Sequence, residues 1–118
     1  TSEGGYTAMH AILRQSPRPS AVFVANDLMA IGALCAAYEC GVAVPDELSL
    51  VGFDDIELAR FACPPLTTVA QPKQRIASMA VDMLLERIEG RRQDVRKVVL
   101  QPELRVRAST APYRGEGA

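Results

Sequence analysis

"AVFVANDLMAIGALCAAYECGVAVPDELSLVGFDD", residues 21 to 55, sets the architecture of the chain. Its first five residues are apolar without alternation. They are too few for a helix and too apolar for a half-exposed strand, so they predict a buried strand of the parallel type. Asn26 suits an N-cap. Asp27 suits a first helical turn, where the helix dipole favours negative charge. Residues 27 to 40 are apolar nearly all round, which predicts a helix covered on more than one side, with Gly41 as its C′ residue. "VAVPDE" turns the chain into a second buried strand at 48–53.

Working outward, residues 5–14 predict a helix from the spacing of Tyr6, Met9, Ile12 and Leu13, and "QSPRPS" is a breaker-rich loop. Residues 56–62 predict one or two helical turns, stopped by Pro64 and Pro65. A third strand is expected at 66–70. A helix is expected at 72–89, with Ile76, Ala80, Met83 and Leu84 on its apolar face and Gly90 at its end. "KVVLQPELRVRAS", 97–109, offers two short strands broken at Pro102. The tail, 112–118, has no periodicity and is expected to be mobile. This order predicts an α/β fold, an open and mainly parallel sheet with helices on both faces. Two irregularities mark it as an incomplete lobe. The chain begins on a helix, and no full helix separates the strands at 48–53 and 66–70.

The 118 residues make one domain or part of one. A chain of this size buries ~65% of its unfolded surface, enough for a single core. Apolar residues are 48%, aromatics only 5% with no Trp, so aliphatic side chains must fill that core. A net charge of −1 gives no basic excess for binding nucleic acid or an acidic membrane. No apolar run approaches the ~20 residues of a membrane span. The opening residues lack the features of a signal peptide. Three cysteines without a CxxC motif predict free thiols in a reducing cytoplasm.

Ligands of open α/β sheets sit outside the carboxyl ends of the strands. Asn26 and Asp27 fall there after the first strand, Asp54 and Asp55 after the second, and Gln71 after the third. Such groups can hold a polyol without reaction. Asn26 and one of the two aspartates read equally well as helix caps. Asp54 and Asp55 make a poor catalytic pair, because neighbours on an extended chain point to opposite sides. His10, the single histidine, reads as a helix-edge residue. Cys35 and Cys40 read as core or interface packing. One His and three scattered Cys make no metal site. No phosphate loop and no GxSxG elbow is present. No cofactor is expected.

"AVFVANDLMAIGAL", "GVAVPDELSLVGFDD", "PPLTTVAQP" and "VVLQPELRVRAST" resemble, in order and spacing, the effector-binding domain of LacI/GalR-family transcriptional regulators. The resemblance covers residues 4 to 111. It implies the C-terminal part of a periplasmic-binding-protein-like type I fold, with 1–111 as a partial effector-binding and dimerisation domain. It implies a small-molecule effector, a sugar or related metabolite, contacted by Asn26 and Asp54, with Asp27, Gln71 and Lys73 as lesser cleft candidates. Asp55 would fix the turn. A homodimer would form through Ile31 and Leu34 on the second helix and Phe61 and Cys63 beyond the second strand.

The resemblance also implies parts outside this chain: a helix-turn-helix headpiece that binds operator DNA, a first lobe, and the opening strands of this one. In the family the helix at 72–89 packs on the other lobe, so its apolar face here must find a different cover. A swapped dimer or a rearranged helix would supply one. The function expected is ligand sensing by a repressor. A solute-binding protein of a transport system is the alternative, and an enzyme using Asp54 and Asp55 as acids is a distant third.

Overall fold

The structure is a computed structural model and describes residues 1–115. The chain divides into two units. One comprises Thr1–Ala70 with the closing segment from Leu104; the other is Gln71–Glu103.

The first unit is built on helix α1 (Ser2–Leu13), strand β1 (Ala21–Phe23), helix α2 (Asp27–Glu39), strand β2 (Ser49–Asp54), a 3₁₀ turn (Glu57–Phe61) and strand β3 (Thr67–Ala70). Strand β4 (Glu103–Arg105) completes a four-stranded sheet of order β1-β2-β3-β4. β1–β2 and β2–β3 are parallel, with Val22 opposite Leu50 and Gly52 opposite Thr68. The parallel strand–helix–strand unit expected from residues 21–55 is therefore present. The step from β2 to β3 runs through the 3₁₀ turn, not a full helix.

Three local readings need correction. α1 starts three residues before the expected boundary because Thr1 caps it, its hydroxyl accepting from the Gly4 N–H at 3.0 Å. β1 is not buried: its burial runs exposed, half-buried, exposed, and Phe23 is 64% exposed. An edge strand has a neighbour on one side only, so an apolar sequence there does not guarantee cover. Of the two strands expected within 97–109, only β4 forms, and 97–101 is irregular. Residues 107–111 instead tie into the sheet by isolated bonds: the Leu50 N–H donates to Ser109 O (2.8 Å), while the Ser109 hydroxyl donates to Leu50 O (2.6 Å) and accepts from the Thr67 N–H (2.8 Å).

The core gathers Met9 of α1, Ala30, Ala33, Leu34, Ala36 and Ala37 of α2, and Leu48, Leu50 and Leu66 beneath them. α2 is buried on several sides, as its composition requires. It meets α1 at backbone distance. A Cβ on Gly5 would collide with the Met29 carbonyl, and one on Gly32 with the Ser2 carbonyl. Small residues at both contact points are what allow this approach.

In the second unit, α3 (Lys73–Ile88) has no buried residue. Val81, Leu84 and Ile88 are exposed. Ile76, Met79, Ala80 and Met83 line a cavity of ≈ 600 Å³ with residues 95–98 and Leu100. Of the tail expected to be mobile, residues 112–115 line a second cavity, in the first unit; residues 116–118 lie outside those described.

Candidate functional site

Asn26 and Asp54 occupy the carboxyl ends of adjacent parallel strands. The β1–β2 register ends with Phe23 opposite Val51, and one further bond, from the Val24 N–H to Val51 O at 2.8 Å, follows it toward Asn26. Asn26 is extended (φ −155°, ψ 166°) and caps α2, its Oδ1 accepting from the Met29 N–H at 2.9 Å. The cap fixes the carboxamide plane and leaves the Nδ2 amide as the group able to donate to a ligand.

Asp54 closes β2 with φ 122°, and Asp55 follows at φ 56°. Two consecutive non-glycine residues at positive φ hold strain of about 1–3 kcal/mol each. Such strain persists only where surrounding contacts enforce it, and those contacts surround Asp55. Its Oδ1 lies 2.7 Å from Arg107 Nη2, while Arg107 Nη1–H donates to Leu66 O at 2.9 Å. The Arg107 backbone N–H donates to Thr67 Oγ1 at 2.9 Å. Asp55 is thus locked to β3 through the closing segment, and Asp54 is set at the strand end by that lock.

Asp27 takes a different part. It is fully buried. Its Oδ1 accepts from the Thr68 hydroxyl (2.6 Å) and its Oδ2 from the Ile56 N–H (2.9 Å). One carboxylate therefore joins the amino end of α2, the middle of β3 and the segment leaving β2. Gly52 makes room for it, since a Cβ there would meet Asp27 Oδ1. Both Asp27 oxygens have internal donors, so this carboxylate serves the fold.

Gln71 and Lys73 belong to the second unit, where the Lys73 N–H donates to Gln71 O at 2.8 Å as α3 begins. Of the residues expected at a subunit interface, Phe61 is 65% exposed and Cys63 is exposed. Ile31 is half-buried. Leu34 lies in the core at 7% exposure and offers a partner little surface. Cys35 and Cys40 are exposed, contrary to core packing. All three cysteines are free thiols.

The sequence reading missed Arg107, Thr68 and Ser109. The one signal was a run of polar residues on segments that otherwise read as buried strands. A cavity of ≈ 700 Å³ lies elsewhere in the first unit, at the amino ends of β1 and β2. It is rimmed by Arg18, Glu47, Tyr113 and Arg114, with Arg18 and Glu47 already paired at 3.6 Å. Strand ends and backbone strain point to the opposite end of the sheet. Among the described residues no group of three or more His, Cys, Asp or Glu is placed to hold a metal ion, and no helix is long and apolar enough to cross a membrane.

An open parallel sheet offers its ligand groups at the carboxyl ends of its strands, where Asn26 and Asp54 stand. Residues 1–110 match the periplasmic binding protein-like domain, and the chain belongs to that family, as the C-terminal part of a LacI/GalR-type effector domain. It is 50% identical over 109 residues to the HTH-type transcriptional repressor PurR of Edwardsiella ictaluri (strain 93-146), matching 92% of this chain and 32% of that protein. Its fold superposes on the transcriptional regulator CelR–cellobiose complex with a TM-score of 0.89 at 37% identity, covering 92% of this chain and 33% of that one. The lac repressor dimer bound to operator and the anti-inducer ONPF gives a TM-score of 0.85 at 34% identity, covering 93% and 38%. The chain spans about a third of the length of the repressors it matches.

Proposed function

We propose that this chain forms one wall of the effector cleft of a LacI-type repressor, in which a small polar metabolite binds and alters operator affinity. The observation that carries this is that Asn26 and Asp54 both stand at the carboxyl ends of the paired parallel strands β1 and β2, with Asp54 held at φ 122°. Asn26 Nδ2 would donate to a ligand oxygen or ring nitrogen. Asp54 would accept from a hydroxyl or N–H. Neither role needs bond making, which suits a sensor whose output is a difference in affinity between two states.

The partners proposed are a sugar or similar metabolite, a second copy of the chain, and operator DNA through a headpiece not contained in these residues. The complexes of CelR with cellobiose and of the lac repressor dimer with operator support this reading by similarity. The dimer face would use Phe61 and Cys63 with the outer side of α2 at Ile31. The domain reading proposed is a partial effector domain over 1–111, with the helix at 72–89 covered by another lobe. The compartment proposed is the cytoplasm.

The test is a calorimetric screen of sugars and nucleobases against the whole repressor, wild type and Asp54→Asn, with operator binding measured alongside. One ligand is expected to shift operator affinity, and Asp54→Asn to weaken that ligand at least tenfold while leaving ligand-free operator binding intact. Unchanged ligand affinity in Asp54→Asn would overturn the assignment of the site.

A further inference from the structure

Where the ends of α1 and α2 meet, five reactive or ionisable side chains form one cluster: Tyr6, His10, Cys35, Glu39 and Cys40. Glu39 is its hub. Glu39 Oε2 accepts from the Tyr6 hydroxyl at 2.5 Å and lies 3.3 Å from His10 Nε2. Glu39 Oε1 accepts from the Cys35 thiol at 3.9 Å. The other ring nitrogen, His10 Nδ1, lies 3.3 Å from Cys40 Sγ. The Tyr6 ring stands edge-on to the imidazole, centroids 4.6 Å apart, and fixes its plane.

The chemistry of these partners assigns the protons. An ionised carboxylate only accepts, so the contact with Glu39 requires the proton on His10 Nε2. The Tyr6 hydrogen bond, foremost among several causes, holds the Glu39 carboxyl below its ordinary range, so it is ionised. In the neutral ring with that tautomer Nδ1 presents a lone pair, to which the Cys40 S–H can donate. Thiol, imidazole and carboxylate stand in the relay order that generates a thiolate nucleophile. Cys40 is exposed and caps the end of α2. The partial negative charge at a helix carboxyl end opposes a thiolate, and a neighbouring imidazolium offsets it.

We propose that Cys40 is a modifiable thiol, activated by His10 and Glu39, that undergoes exchange with small-molecule disulfides. His10 Nδ1 takes the thiol proton, and the imidazolium is held on Glu39. Cys40 Sγ attacks one sulfur of the disulfide, the S–S bond breaks, and a Cys40 mixed disulfide forms. The departing thiolate takes the proton from His10 and leaves as a thiol. The reaction consumes one disulfide and one protein thiol, and a reducing thiol reverses it. The mixed disulfide removes the Cys40–His10 contact, which spans α1 and α2.

Cys63 is the internal reference, being exposed in the single chain, and because it is also assigned to the dimer face the rates would be read at a dilution where sedimentation shows a monomer; His10 is the single histidine of the chain. Proteolysis after glutamate puts Cys35, Cys40 and Cys63 on separate peptides, as Glu39, Glu47 and Glu57 lie between them. The chain would be treated with oxidised glutathione, acid-quenched at intervals, and mapped by mass. Cys40 is expected to react about tenfold faster than Cys63 or Cys35, and His10→Gln to remove about tenfold of that rate without changing Cys63. Equal rates at Cys40 and Cys63, or a Cys40 rate indifferent to His10→Gln, would overturn the proposal. A His10→Gln chain that failed to fold would speed Cys63 as well, and the wild-type ratio alone would then decide.

Discussion

Arg107 reaches back from the closing segment to grip Asp55, with Nη2 2.7 Å from Oδ1, while its other terminal nitrogen donates to Leu66 O. Side-chain exposure is 17% for Arg107 and 23% for Asp55, so the pair is only partly screened. Arg107→Lys keeps the charge and loses the fork that serves carboxylate and carbonyl together. We expect it to cost about 1–3 kcal/mol. It should also weaken effector binding, because Asp54 is set by the same turn. Urea titration and calorimetry on one preparation would check both; a loss of stability with unchanged affinity would separate the lock from the site.

Asp27 is the second clasp. Asp27→Ala leaves the buried Thr68 hydroxyl and Ile56 N–H without their acceptor, whereas Thr68→Val removes one donor and retains most of the volume. A stranded buried polar group costs about 1–3 kcal/mol. Asp27→Ala should therefore lose roughly 3–5 kcal/mol and Thr68→Val about 1–2. Denaturant midpoints at constant m would show the ordering. Equal losses would mean that Ile56 finds another partner.

Much of this was legible in the sequence. The uniform apolar character of 27–40, with Asn26 before it and Gly41 after it, placed α2 to within a residue. Flanking runs at 21–25 and 48–53 gave the parallel pair. Burial of β1 was not legible, because local composition does not tell an edge strand from a central one. The site divides in the same way. Residue type and strand-end position pointed to Asn26, Asp27, Asp54 and Asp55 alike, and only the family resemblance chose Asn26 and Asp54 among them. The assignment of Asp27 to internal bonding, and the grip of Arg107 on Asp55, depend on contacts 41 and 52 residues apart along the chain. No local pattern encodes such pairs.

The α1–α2 contact is sharply sensitive to volume. Alanine is favoured over glycine in a helix by about 1 kcal/mol, so Gly5→Ala and Gly32→Ala would stabilise isolated helices. Here a methyl at either position runs into backbone carbonyls that cannot rotate away. Both variants should instead lose about 1–3 kcal/mol. Gly4→Ala meets only the Thr1 hydroxyl, at 3.2 Å, and should stay within about 0.5 kcal/mol of wild type. Thermal melts of the three variants would show the contrast.

The Tyr6–Glu39 bond predicts a pH window. The Tyr6 hydroxyl chiefly lowers the Glu39 pKa, and the same bond chiefly raises that of Tyr6. For a lowered carboxyl, the stabilisation is complete above its ordinary value of 4.5 and fades as pH falls through the folded value. For a raised phenol, it is complete below 10.0 and fades as pH rises through the folded value. The stability difference between wild type and Tyr6→Phe should therefore form a plateau between those limits and narrow on both sides. Salt should lower the plateau, since these groups lie near solvent. A difference independent of pH would mean that Tyr6 acts by packing alone.

The strain at Asp54 separates function from stability. At φ 122° an L-residue with a Cβ is disfavoured, and glycine is not. Asp54→Gly and Asp54→Ala both delete the carboxylate and whatever it binds, so their difference isolates the backbone. Glycine carries an entropic cost of roughly 0.5–1 kcal/mol relative to alanine, set against strain of about 1–3 kcal/mol. Asp54→Gly should then be the more stable of the two by about 1 kcal/mol, with effector binding lost in both. If the alanine variant proved as stable as the glycine variant, the turn would have relaxed, and Arg107–Asp55 could not be what holds it. If glycine won and binding vanished in both, the chain would be shown to keep an acid at a position where its backbone favours glycine, so that the carboxylate and not the backbone accounts for the residue there.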